Sequence, residues 1–281
     1  MEKTSRRKFL KWTGMGLASS SLVSRGYSLP AFSLQKKGHI PFQLGMASYT
    51  FREFSLEDTL AMTQRLGLER IAFKSFHLAL DSTEEEIRAV AAKVKAAGLR
   101  LYGCGVVYMK TSQEVEQAFK YAQAAGMDII IGVPDHDLLD LVDRKVKEFD
   151  IKLTIHNHGP GDKVYPTPES AYERIKSLDP RIGLCIDVGH TQRAGVDPAE
   201  DILRFSGRVL DVHIKDVTAA TGEGQTVEIG RGVIDIPAVL AALIKIEYAG
   251  TVSFEFEKDG KDPLAGVAES IGYVRGVLDV I

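Results

Sequence analysis

The chain has 281 residues, 44% hydrophobic and 26% charged, with 35 basic against 38 acidic side chains for a net charge of −3. That composition supplies a core for one large domain and excludes the chain-wide positive field by which proteins grip nucleic acid. Two cysteines, Cys104 and Cys185, are too few for a disulfide scaffold, and both fall in expected strands as small core residues.

The first residues differ from the rest. Ser5-Arg6-Arg7-Lys8-Phe9-Leu10-Lys11 precedes a weakly apolar stretch, Trp12 to Val23, rich in Gly, Ala and Ser. The stretch is too short and glycine-rich to span a membrane. A charged region followed by a short apolar one reads as an export signal, and the paired arginines resemble a bacterial twin-arginine signal. Residues 1–40 are therefore expected to be an export signal and linker, and residues 41–281 a single catalytic-sized domain, periplasmic or otherwise exported.

From Phe42 onward, strand and helix signals alternate. Strands are expected at Phe42–Tyr49, Arg70–Ser75, Leu99–Val107, Met127–Val133, Ile151–His158, Ile182–His190, Val209–Lys215 and Thr251–Glu257. Ser55-Leu56-Glu57-Asp58 and Ser82-Thr83-Glu84-Glu85-Glu86 open helices with polar caps and early acids. Thr167 caps a helix with Pro168 at its first position, and Ser170 in place of Glu or Gln makes it a simple cap, not a capping box. Eight strand–helix units predict an α/β fold, a single (β/α)8 TIM barrel. A doubly wound open sheet is the alternative, weakened by the lack of G-x-G-x-x-G after the first strand.

In the last four strands, one face is apolar and the other carries His156, Asp187, His213 and Glu255 near the C-terminal end. A (β/α)8 barrel puts its active site there, and such groups are costly to bury unless paired or bound to a metal. Two imidazoles and two carboxylates suit a divalent ion of the Mn, Zn, Co or Fe kind better than Mg. His158 and Lys74 are candidate proton carriers beside Glu255. His190, Lys215, Arg231 (in Gly230-Arg231-Gly232) and Glu257 are candidate substrate-binding groups, the alternatives being a Lys215 paired with a neighbouring carboxylate and an Arg231 solvated in a turn.

These residues resemble the xylose isomerase-like (β/α)8 proteins, the sugar phosphate isomerase/epimerase group, from about Phe42 to the C-terminus. The resemblance rests on Asp187-Val188-Gly189-His190, His213-Ile214-Lys215-Asp216, the Gly-Arg-Gly loop before Ile234-Asp235-Ile236, and Phe254-Glu255-Phe256. It implies metal ligands at Asp187, His213 and Glu255 and a substrate-binding role for His190. The family's first glutamate ligand falls at His156, so a symmetric two-glutamate epimerisation loses one base. The resemblance implies an enzyme acting on a non-phosphorylated sugar or keto-sugar by carbonyl polarisation and proton transfer: an isomerase or epimerase, with a keto-sugar lyase or dehydratase as alternative. An endonuclease-type hydrolase and a non-catalytic sugar-binding protein are the remaining readings. The expected partner is a small carbohydrate, with no nucleic acid, no stable membrane span, and oligomerisation left open.

Overall fold

The computed structural model describes residues 39–281. The export-signal reading falls on residues 1–38 and lies outside the described residues. Eight parallel strands close a barrel: β1 (Gln43–Ala47), β2 (Arg70–Phe73), β3 (Arg100–Met109), β4 (Ile129–Pro134), β5 (Lys152–His156), β6 (Ile182–Asp187), β7 (Val209–Ile214) and β10 (Thr251–Phe254). β10 pairs with both β7 and β1, so no strand edge is left open. A small antiparallel hairpin, β8 (Asp216–Val217) and β9 (Thr226–Val227), follows β7.

Parallel strands covered on both faces read as apolar runs, and β4 (Ile-Ile-Ile-Gly-Val-Pro) is buried throughout. The larger core lies between strands and helices, with Ile71, Phe73, Ile130, Leu153, Leu184, Val212 and Phe254 on the outward phase. A smaller cluster of Ala72, Tyr102, Ile129, Ile131 and Cys185 fills the barrel itself. Helices begin where the polar caps stand. Ser55 accepts from the Asp58 N–H, and Thr83 and Thr111 form reciprocal capping boxes with Glu86 and Glu114. Gly126, at φ +67°, ends the Ser112–Ala125 helix in the left-handed conformation that glycine adopts without strain.

The structure corrects several details. Thr167 does form a full box: Ser170 Oγ accepts from the Thr167 N–H at 3.1 Å, supplying the return bond usually made by Glu. The sixth strand does not run to His190. It stops at Asp187, whose side chain caps a short helix, Val188–Arg193. The expected strand ends at Glu257 and His158 likewise overrun the ladder, which stops at Phe254 and His156. The polar segment after β7 contains the β8–β9 hairpin, too short to leave a periodic signal.

Candidate active site and metal centre

The four strand ends converge. His156 Nε2 lies 3.2 Å from His213 Nδ1 and 3.4 Å from Asp187 Oδ2, and His213 Nδ1 lies 3.4 Å from Glu255 Oε2. All four ligand atoms are within 4.8 Å of one another, on residues that are fully or almost fully buried. A tetrahedral ion with bonds of about 2.0–2.1 Å sets donor separations of about 3.3–3.4 Å, close to the 3.2, 3.4 and 3.4 Å of these three contacts. Asp187 Oδ2, fully buried, is answered only by ion pairs, to the Lys215 ammonium at 2.9 Å and to His156 Nε2 at 3.4 Å. The donor set and the geometry therefore fit a divalent ion. Cys185 also lies within reach of His156 and His213. Burial, with Asp211 beside it, holds its thiol protonated, and its Sγ donates to Asp211 Oδ2 at 3.3 Å.

Local sequence explains the placement. Asn157, between the two histidines, takes the opposite phase: its Oδ1 accepts from the Asp187 N–H and its Nδ2 donates to Thr191 Oγ1. This ties β5 to the start of the 188–193 helix and leaves His156 and His158 facing the site. Asp187 divides its two oxygens. Oδ1 caps the helix by accepting from the His190 N–H at 2.7 Å, and Oδ2 faces the cluster.

Lys215 is the electrostatic keystone. Its ammonium, 2% exposed, lies 2.9 Å from Asp187 Oδ2, 2.7 Å from Glu255 Oε2 and 2.5 Å from Glu257 Oε1. Burial alone would discharge it, but the three carboxylates push its pKa well above the lysine value. In return, burial would raise Asp187 and Glu255, yet Lys215 with the neighbouring imidazoles holds both well below the usual carboxylate range. Its stem lies flat across Gly189, where an added Cβ would come within 2.5 Å of Lys215 Cγ. That close approach accounts for the glycine in Asp-Val-Gly-His.

A cavity of about 240 Å³ opens onto the cluster, lined by Tyr49, Lys74, Val106, Tyr108, His156, His158, His190, Glu255 and Glu257. Burial pushes His156 down to about 3 and lowers His158, so both imidazoles are neutral near pH 7. His158 Nε2 shares a hydrogen bond with the Tyr108 hydroxyl at 3.0 Å. Lys74, with its pKa lowered by burial, donates to the Val106 carbonyl at 2.5 Å.

Of the expected site residues, the structure brings together His156, Asp187, His213, Glu255, His158, Lys74, His190, Lys215 and Glu257. Arg231 is the exception. Its guanidinium is more than half exposed and forms a two-pronged pair with Glu269, at 2.5 and 2.7 Å. The Gly-Arg-Gly motif serves the loop instead. Asp216 Oδ2 accepts from the N–H groups of Gly230 and Gly232, and its Oδ1 from Val217 and Ile234. A Cβ at Gly232 would fall 2.1 Å from Asp216 Oδ1. The glycines exist for this clamp, which turns the arginine outward.

Sequence reasoning missed Tyr49 and Tyr108 on the cavity wall. It also missed the role of Asp211, which lies beneath the cluster with Oδ2 3.6 Å from His213 Nε2 and Oδ1 accepting from the Tyr102 hydroxyl. The Asp211–His213 alternation was visible; the contact from Tyr102 on β3 was not.

Known proteins resemble this chain in the same terms. Over 163 residues it is 29% identical to the rhizopine catabolism protein MocC of Rhizobium meliloti, covering 48% of this chain and 49% of that protein. Over 129 residues it is 30% identical to inosose dehydratase of Geobacillus kaustophilus (strain HTA426), covering 40% of this chain and 41% of the enzyme. Each match thus spans about half or less of the relative's length. Among solved structures, an L-ribulose 3-epimerase superposes with a TM-score of 0.69 at 19% identity, covering 85% of this chain and 95% of the epimerase. The IOLI protein with a binding zinc atom superposes with a TM-score of 0.71 at 17% identity, covering 84% and 98%. The family model described as xylose isomerase-like TIM barrel matches residues 41–277. The chain belongs to the xylose isomerase-like TIM barrel family.

Proposed function

We propose that the protein is a metal-dependent enzyme that removes a proton beside the carbonyl of a non-phosphorylated keto-sugar or keto-cyclitol and then expels a neighbouring hydroxyl as water. The observation that carries this reading is the mixed lining of the cavity. It holds an ionised carboxylate, Glu255, fixed by Lys215, together with Lys74 and the His158–Tyr108 pair, which are nitrogen and phenol groups. Two-base epimerisation uses like groups on both faces; elimination uses a base and a different acid.

A bound divalent ion, held by His156, Asp187, His213 and Glu255, would polarise the substrate carbonyl. Glu255 takes the proton from the adjacent carbon. Lys74, an ammonium made more acidic by burial, delivers a proton to the departing hydroxyl. His158, neutral and braced by Tyr108, directs the hydroxyl toward it, and His190 orients the far side of the ring. The curated inosose dehydratase relatives support a dehydration outcome. Isomerisation is the second reading, because a proton taken by Glu255 can return to the neighbouring carbon. The twin-arginine-like segment supports an exported enzyme, in keeping with substrates that lack phosphate.

The test is incubation of manganese-loaded protein with a panel of keto-hexoses and inososes in heavy water, read by mass spectrometry. Loss of one water is the expected result. Deuterium incorporation without water loss moves the assignment to isomerisation. Neither, from protein that binds the sugar, leaves a binding protein.

A further inference from the structure

Resting on the carbohydrate reading above, we infer that Tyr49, Phe76 and Tyr108 form a stacking subsite for a second sugar ring, so that the substrate is an oxidised disaccharide or glycoside and not a free monosaccharide. The cavity, at about 240 Å³, falls below the roughly 300–1,000 Å³ that drug-sized ligands occupy. It holds one six-membered ring against the cluster, and any second ring has to lie across the rim.

The rim is built for that. Phe76 is 48% exposed and Tyr108 49%, while the other aromatic side chains among the described residues are mostly covered. They are continuous with the cavity: Tyr49 and Tyr108 line it, and Phe76 packs on Tyr49 with ring centroids 6.1 Å apart. Their orientations are held in advance. The Arg52 guanidinium lies 5.0 Å from the Tyr49 ring centre and the Lys74 ammonium 5.4 Å from that of Tyr108. Tyr108 also stacks on His158 at 5.6 Å. A pyranose presents a face of C–H groups carrying slight positive charge, and the electron-rich face of an aromatic ring attracts it. Rings already fixed by cations and neighbours lose little conformational entropy on binding. The chemistry of the mouth divides accordingly: ionisable groups inside for the reacting ring, aromatic faces outside for the ring that does not react.

The test is calorimetric titration of the manganese-loaded protein with a keto-hexose and with the disaccharide carrying that same oxidised ring. Phe76 lies outside the cavity, so Phe76→Ala and Phe76→Leu leave the reacting groups in place; the leucine variant keeps the apolar bulk and removes only the ring face. The disaccharide is expected to bind about tenfold tighter than the monosaccharide. Both variants are expected to lose about three- to tenfold on the disaccharide and nothing on the monosaccharide. Equal affinity for the two sugars, or an equal loss on both, overturns the subsite while leaving the carbohydrate reading standing. Failure of both sugars to bind overturns the carbohydrate reading itself.

Discussion

The two halves of the barrel end their strands differently. β5, β6, β7 and β10 deliver His156, Asp187, His213 and Glu255 to one point. β1 to β4 deliver none of these; their ends and following loops supply Tyr49, Lys74, Val106 and Tyr108 to the wall. One half therefore holds charge and the ion it suits, while the other shapes and binds. The second half needs Lys215, because clustered carboxylates without a cation would not stay ionised in a dry interior.

The sharpest way to break this division is to remove a ligand. Glu255→Gln is expected to abolish bound metal and cut turnover at least about a thousandfold, while Tyr108→Phe, from the first half, keeps its metal. Equal metal contents by atomic spectroscopy would erase the distinction. Next in size is Lys215→Met. It leaves three carboxylates facing one another, and about 3–5 kcal/mol of stability should be lost in the metal-free protein. Manganese should restore part of that by supplying the missing charge, which urea unfolding with and without the ion would measure. Asp211→Asn is expected to weaken metal binding about 10- to 100-fold without unfolding the chain, because His213 loses the carboxylate beside its second nitrogen. An unchanged metal affinity would remove Asp211 from the site.

The smallest effect concerns His77, a buried histidine of the first half held by Ser48 and Thr59 hydroxyls at 2.9 Å. Burial lowers its pKa below 6.5. The unfolded chain therefore binds this proton more readily than the folded one, and the His77 contribution is fully present above about pH 6.5 and shrinks as the pH falls. The stability gap between wild type and His77→Gln should narrow between pH 7.5 and 5.5, by no more than about 1 kcal/mol per pH unit. A gap that widens toward acid would contradict it.

Much of this was legible in the sequence because strand alternation is local. His156, Asp187, His213 and Glu255 could be placed on one face by counting in twos. What depends on packing across the barrel was less visible. A carboxylate partner for Lys215 is a reading the sequence allows, but nothing near it in sequence reveals that Asp187, Glu255 and Glu257 all meet its ammonium. Tyr108 escaped because β3 runs past Val107, with a register shift against β4 between Cys104 and Val107. Arg231 shows the converse: its flanking glycines suit a substrate loop or a turn, and in the fold their N–H groups answer Asp216 while the guanidinium pairs with Glu269.

Asp187 carries a lesson for reading other chains. A helix start tolerates Asn, Ser or Thr nearly as well as Asp, so a sequence with asparagine at this position would keep the 188–193 helix and the seat of His190. It would nonetheless lack the anionic oxygen that faces His156 and Lys215. Such a chain would fold as a faithful copy and be chemically silent. A single letter, invisible to any comparison of backbones, would then separate working members of a lineage from descendants that retain only the shape.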